Sequence, residues 1–208
     1  MNISIIGASA GIGRQAVLQG LERGHKVTAL SRNMENMPEH NLLTKISGSA
    51  TSVAILKRVL AGADAVIVTV GTKDKKDTSL FVETANALIK AMEELDLNVP
   101  VLVVTGFGAG ESKNYLNFFM RWVIRLFLKK QYQQKSKMEA LIKGSGLKWQ
   151  IVRPGMLTNG VLTERYQILS GLTKAMPLNK ISRADVAHYL LSEAERPTRM
   201  YQTPAIGG

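Results

Sequence analysis

The sequence has no cysteine, which excludes disulfides, iron–sulfur clusters and thiolate zinc sites and suits a reducing compartment. Only three histidines are present, His25, His40 and His188, and no two are close enough in sequence to suggest a ligand pair, so no metal site is expected. Proline is scarce at 6 residues, and 45% of the chain is apolar, which argues against extended disorder. At 208 residues the chain has the length of one domain with a proper core. No leader is expected before the first strand, since Asn2-Ile3-Ser4 already reads as sheet, and the expected location is cytoplasmic. Acid is in deficit: 27 basic residues against 16 acidic ones leave a net charge of +11. One reading of that charge is a nucleic-acid or membrane-surface partner. The reading preferred is a positive field for an anionic cofactor and substrate, because no aromatic-interleaved basic patch or helix-turn-helix pattern is visible. No nucleic acid is therefore expected.

What the chain does have is a glycine-rich turn at its start. The apolar strand Ile3-Ser4-Ile5-Ile6 runs directly into Gly7-Ala8-Ser9-Ala10-Gly11-Ile12-Gly13-Arg14. Gly7 permits a tight turn off the strand, and Gly11 leaves the backbone N–H groups open to phosphate. Gly13 lets the first helix approach the sheet, and the positive end of that helix faces the anion. Glycines at this spacing are common by chance, but between a strand and an amphipathic helix they point to a bound dinucleotide.

Strands and helices alternate along the rest of the chain, the pattern of a parallel sheet wrapped by helices. Strands are predicted over 2–6, 26–30, 42–46, 65–70, 99–105 and 147–153. Helices are predicted over 11–23 with Gly24 as a stop, over 52–60, and over 79–95 capped by Asp77, Thr78 or Ser79. A last helix begins at Ser182, where Ser-Arg-Ala-Asp resembles a capping box with Asp185 in the acidic position. Between Tyr115 and Leu128 lies an apolar segment too short for a bilayer span and interrupted by Arg121 and Arg125, so no stable membrane insertion is expected. With Lys129 these cations recur every four residues along one helix face. The segment reads as a pocket wall or subunit contact, as a buried helix with snorkelling arginines, or as a membrane-surface helix. A monomer and a homodimer are both compatible with it.

The residues after the second strand discriminate between the nicotinamide cofactors. An acid there accepts hydrogen bonds from a ribose 2′-hydroxyl, but this chain reads Leu30-Ser31-Arg32-Asn33. Arg32 can pair with a 2′-phosphate, Ser31 can donate to it, and Arg14 can reach it, so NADPH is expected over NADH.

These features, with Val66 to Thr72 and Ser145-Gly146-Leu147-Lys148-Trp149-Gln150-Ile151-Val152-Arg153-Pro154-Gly155, resemble the atypical branch of the short-chain dehydrogenase/reductase superfamily. Within it the chain is most similar to the NAD(P)H-binding group of biliverdin/flavin reductases and NmrA-like regulators. The resemblance implies a single α/β Rossmann-like domain over 1–208, a doubly wound parallel sheet in the order 3-2-1-4-5-6. It also implies a pocket formed by the loops after strands four to six and the 114–143 helical region. Val70, Gly71, Thr72, Thr105, Pro154, Gly155, Met156 and Leu157 would then surround the cofactor's nicotinamide end, and Lys135 would hold its ribose.

The chain also departs from the superfamily pattern. In Tyr-x-x-x-Lys the lysine lowers the tyrosine pKa, but four residues before Lys135 stands Gln131, and Tyr132 is one position out of register. The serine expected near the end of strand five is replaced by Thr105-Gly106. An adenine-binding acid after strand three is replaced by Gly48-Ser49, leaving Ser49 as the contact. Lys135, Thr105 and Tyr132 are the remaining catalytic candidates. Hydride transfer to a flavin, quinone or similar planar acceptor needs little side-chain help, and Phe107, Met156, Leu157 and the 115–128 segment would wall such a substrate. A non-catalytic NAD(P)H sensor of the regulator type is the alternative.

Overall fold

A computed structural model describes residues 1–72, 79–116, 118–172 and 178–208, with the side chain of Phe119 also left undescribed. The elements run β1 (Asn2–Ile6), α1 (Gly11–Glu22), β2 (Lys26–Ser31), β3 (Leu43–Ser47), α2 (Val53–Leu60), β4 (Ala65–Val68), α3 (Leu80–Glu94) and β5 (Pro100–Val104). A 3₁₀ turn (Gly110–Tyr115) leads to α4 (Phe118–Val123), a widened π turn (Ile124–Leu128) and α5 (Lys129–Lys143). There follow β6 (Lys148–Pro154), β7 (Leu157–Thr158), β8 (Gln167–Leu169), β9 (Ile181–Ser182), α6 (Arg183–Glu195) and β10 (Ala205–Gly207).

The main sheet has the order β3-β2-β1-β4-β5-β6-β10-β8, parallel throughout except for the antiparallel β8–β10 pair, and β7 and β9 form a separate parallel pair. The expected order is therefore present and extended at one edge. The two-residue side-chain period of a strand explains the layering. Ala65 and Ile67 of β4 face a core shared with α1 and α6. Val66 and Val68 face the opposite core, with Leu56 of α2, Phe81 and Leu88 of α3 and Met138 and Ile142 of α5. Strand β1 has β2 on one side and β4 on the other, so the chain direction across the sheet reverses there. In open parallel sheets ligands bind at the carboxyl ends beside such a switch point.

Several boundaries differ from the sequence-based expectation. Strand β4 stops at Val68, because the Thr69 hydroxyl folds back to donate to the carbonyls of Ile6 and Gly7 at 3.2 and 3.1 Å. Asp77 and Thr78, two of the three cap candidates for α3, lie outside the described residues. At α6 the Ser182 hydroxyl does accept from the Asp185 N–H, at 2.9 Å, but the Asp185 carboxylate does not return to the Ser182 backbone. It receives the Ser182 hydroxyl and both the N–H and hydroxyl of Thr163, together with the N–H of Glu164, so it pins the loop after β7.

The apolar segment gives the largest correction. It is not a buried helix: of its described side chains between Tyr115 and Leu128 only Ile124 is buried. Helices α1 and α6 cover one sheet face and α2, α3 and α5 the other, which leaves no sheet surface for it. Leu116 and Ile124 instead close over Gly108, and Phe118, Trp122, Phe127, Arg121, Arg125 and Lys129 are exposed. An aromatic-interleaved basic surface therefore exists that the linear pattern did not reveal.

A buried charge cluster ties α5 to the sheet. Arg153 of β6 is fully buried and donates to Glu139 of α5 through Nε at 3.0 Å and Nη2 at 2.6 Å. Its Nη1 and Nη2 also reach both oxygens of Glu111, each at 2.9 Å. Burial alone pushes the guanidinium toward neutrality, but the hydrogen bonds to Glu139 and Glu111 more than offset it and hold Arg153 firmly charged. The same bonds from Arg153 lower the Glu111 carboxyl from its ordinary 4.5 to about 2, against the opposing effect of burial. A carboxyl lowered on folding stabilises the fold fully above its unfolded value, and that stabilisation is lost as pH falls toward the folded value. Urea unfolding between pH 4.5 and 2 is expected to show the parent losing about 1 kcal/mol more than Glu111→Gln. That figure is below the full worth of the shift because the carboxylate is half exposed.

Candidate functional site

The carboxyl ends of β1, β2, β4, β5 and β6 bring the sequence-predicted residues into one region, beginning with the glycine turn. Gly7 has a φ of +89°, and a Cβ there would lie 2.8–2.9 Å from the backbone of Thr69 and Val70. A Cβ on Gly13 would collide with the Gly7 carbonyl oxygen and the Thr69 hydroxyl, so this glycine seats α1 against the turn itself. The N–H groups of Gly7 and Ala8 donate to Leu30, at 2.9 and 3.0 Å, which locks the turn to the end of β2. Ser9 and Ser31 share a hydrogen bond of 2.7 Å across it. The residue flanking α1 is Ala10, which offers no capping side chain, and no acid lies in the first turn. The helix N-terminus therefore keeps donors and positive potential for an anion. An uncapped helix end, seated against the turn by glycines that leave no room for side chains at 7 and 13, fits a dinucleotide pyrophosphate.

A cleft of about 200 Å³ adjoins this cradle, lined by Gly11, Arg14, Gln15, Asn159, Gly160 and Arg183. Gly11, with a φ of +55°, has the Arg183 side chain 3.5 Å from where its Cβ would stand, and Arg183 is held there by a 2.8 Å bond to Asn159 Oδ1. Arg14 lines the same cleft, whereas Arg32 is exposed just after β2. Arg183 was missed by the sequence reading, because it is remote from the turn in the chain and looks there like an ordinary first-turn residue of α6. Ile12 is buried under the turn, and Ser49 lies beyond β3 with its hydroxyl 2.8 Å from that of Thr51.

At the other end of the region, Val70 is buried, Gly71 is exposed, and the Thr72 carbonyl accepts from Gln131 at 3.3 Å. The Thr105 hydroxyl donates to Glu139 at 2.7 Å, so it joins the Arg153 cluster. Lys135 Nζ donates to the Thr105 carbonyl at 2.7 Å and stands 5.3 Å from the Tyr132 ring centroid and 5.6 Å from that of Phe81. Burial pulls the Lys135 ammonium down to about 8, with Glu139 opposing the shift. Tyr132 is not swung away by its offset in register. Its hydroxyl packs 3.3 Å from the Cβ position of Gly106, and burial raises its pKa. Phe107 is buried beside it. Past β6, a Cβ on Gly155 would lie 2.5 Å from the Asn179 carbonyl, Met156 is exposed, and Pro154 and Leu157 flank it.

This arrangement matches known proteins along its length. The NAD(P)H-binding family model covers residues 7–197. The chain belongs to the NAD(P)H-binding family. The uncharacterized protein YwnB of Bacillus subtilis is 28% identical over 206 residues, which span 95% of this chain and 93% of that protein. Among solved structures, the anaerobillin reductase ChuY from Escherichia coli O157:H7 superposes with a TM-score of 0.81 at 19% identity, covering 100% of this chain and 97% of ChuY. A short-chain dehydrogenase/reductase from Veillonella parvula, solved in complex with NADP, gives 0.83 at 18% identity, over 100% and 94% of the two chains. These likenesses show the Rossmann-like fold that the sequence resemblance implied, and the family model marks it as NAD(P)H-binding.

Because a side chain at Gly13 would push α1 off the Gly7 carbonyl and the Thr69 hydroxyl and so displace its N-terminal N–H groups, Gly13→Val is expected to weaken binding of either NADPH or NADH at least about tenfold. Fluorescence titration of the reduced cofactor, with circular dichroism as the check on folding, measures this.

Proposed function

We propose that this protein is an NADPH-dependent reductase that delivers hydride to a flavin, quinone or similar planar conjugated acceptor. The observation that carries the reading is that, among the described residues, the end of β5 holds no activated phenol or free hydroxyl. The Thr105 hydroxyl is committed to Glu139, and Lys135 gives one of its N–H groups to the Thr105 carbonyl rather than to the Tyr132 oxygen. The Tyr132 phenol is shifted upward by burial, opposite to the direction a catalytic phenol needs. An alcohol or carbonyl substrate requires such a donor, whereas a conjugated acceptor takes hydride on one atom and its proton from solvent. The nicotinamide supplies the hydride, and the acceptor gains that hydride plus one proton as the cofactor is oxidised.

The chain's own residues bind and align. Gly7, Ala8, Ser9, Gly11, Ile12 and Gly13 hold the pyrophosphate, with Arg14 and Arg183 closing over it from the adjoining cleft. Arg32 and Ser31 receive the 2′-phosphate. Val70, Gly71 and Thr72 with Pro154, Gly155, Met156 and Leu157 border the nicotinamide end, Lys135 and Thr105 position its ribose, and Phe107 helps keep the site dry. The fold likeness to ChuY, an anaerobillin reductase, supports reduction as the chemistry.

Calorimetric titration is expected to give NADPH at least about tenfold tighter than NADH, a modest return for a charge-assisted pair. Arg32→Glu should raise the NADPH KM more than about tenfold and leave NADH nearly unchanged. Arg183→Ala should weaken both cofactors alike, which separates a pyrophosphate contact from a 2′-phosphate contact. Equal affinities in the parent would overturn the NADPH assignment.

Assays of NADPH absorbance against a panel of flavins and quinones test the acceptor class. Tyr132→Phe is expected to keep kcat within about threefold of the parent, because a working general acid contributes about a hundredfold or more. A fall of that larger size would make Tyr132 a catalytic phenol and carbonyl reduction the better reading.

A further inference from the structure

Residues 118–130 form an arm whose outer side nothing in the described structure covers. Phe118 is 86% exposed, and Trp122, Leu126 and Phe127 are 51%, 55% and 56% exposed. The rings of Trp122 and Phe127 meet edge to face with centroids 6.4 Å apart, so the apolar side chains form a cluster rather than scattered points. Arg121, Arg125, Lys129 and Lys130 are exposed in the same arm. From Ser112 to Met138 the chain carries seven basic residues and no acidic one, so this stretch supplies most of the net charge of +11. The inner side of the arm is anchored, with Leu116 and Ile124 packed over Gly108.

We propose that this arm docks the protein on the surface of an anionic lipid bilayer. Large apolar side chains of this kind reach the boundary between headgroups and acyl chains, and cations at the same level meet the lipid phosphates. Tryptophan is favoured at that boundary for its amphipathic ring. The arm lies on the membrane and does not cross it, since among the described residues no helix is long and apolar enough to span. A second copy of the chain is a poorer occupant. Face to face, two such arms would bring eight exposed cations together with no acid in either arm to answer them. Phe118 projects almost free of the protein, which suits a fluid interface better than a preshaped protein groove. Docking does not depend on the hydride-transfer reading, although α5, which carries Tyr132 and Lys135, continues directly from the arm.

The test is co-sedimentation of the full chain with vesicles of phosphatidylcholine alone and of phosphatidylcholine mixed with phosphatidylglycerol. Partition onto the anionic vesicles is expected to be at least about tenfold stronger, and to fall as salt is raised. Tryptophan emission should shift to the blue on binding, and the shift reports Trp122 because Trp149 is already buried. Each arginine near an anionic leaflet is worth about a fivefold gain in partition, so Arg121→Gln with Arg125→Gln should cost about 25-fold on anionic vesicles. Phe118→Ser with Trp122→Ser should reduce binding about tenfold or more. All four side chains are exposed, and an unchanged thermal midpoint verifies that the variants fold. Binding to neither vesicle, or equal binding to both, overturns the proposal. So does a concentration-dependent blue shift without lipid, accompanied by dimers in light scattering, which would assign the face to a second copy. Saturable binding of polyglutamate with no vesicle binding would assign it to an acidic protein instead.

Discussion

The guanidinium of Arg153 is the interaction on which the geometry of the site depends. It rises from the last residues of β6 into a space that water does not reach, and there it bonds two carboxylates from two other elements. Glu139 brings in α5, and Glu111 brings in the 3₁₀ turn after β5. Thr105, at the end of β5, adds its hydroxyl to the same Glu139 oxygen that Arg153 Nε engages. A buried charge is tolerated only when its partners are in place, so the cluster fixes all of these segments or none of them. Lys135 and Tyr132 sit about one and two turns before Glu139 on α5, and their placement beside Gly106 follows from that docking. The specific stretch ending in Arg153-Pro154-Gly155 thus has a physical reason: its arginine joins α5 to the sheet.

At the opposite end of the cofactor region the constraint is steric rather than ionic. Gly7 and Gly13 stand where the turn, α1 and the end of β4 approach so closely that no side chain fits. That approach aims the uncapped end of α1 at the cleft where Arg14 and Arg183 gather. The turn is therefore fixed by close backbone approach, and the cleft beside it is lined by two arginines.

Much of this was legible in the linear chain because it rests on local rules. A continuous apolar run marked the strand from Ala65, Gly24 stopped α1, and the Ser182 hydroxyl capped α6. The glycine turn was readable because each glycine answers a contact within a strand–turn–helix unit. Strands β8 and β10 were not readable: each has three residues, too few to show a period, and each exists because a neighbour supplies its hydrogen bonds. Arg183 escaped for a similar reason, since only the packing of α6 beside α1 carries it to Gly11. The register argument about Tyr132 assumed that one residue's rotation on a helix removes the phenol from the site. The packing of α5 brings it against Gly106 regardless, and burial alters its acidity instead.

The sequence by itself determined the longer elements, the parallel α/β class, the glycine turn and the family resemblance, all consequences of residues near one another in the chain. Tertiary structure alone decided which charges share a buried site, which arginines line one cleft, and which apolar residues remain outside the core. The apolar segment shows why. Hydrophobicity states that Phe118, Trp122 and Phe127 resist water, but whether they are buried depends on whether a sheet face is still open. Here five helices had already closed both faces. Burial is a competition among distant segments for a limited surface, and its outcome is not written in the period of any one of them.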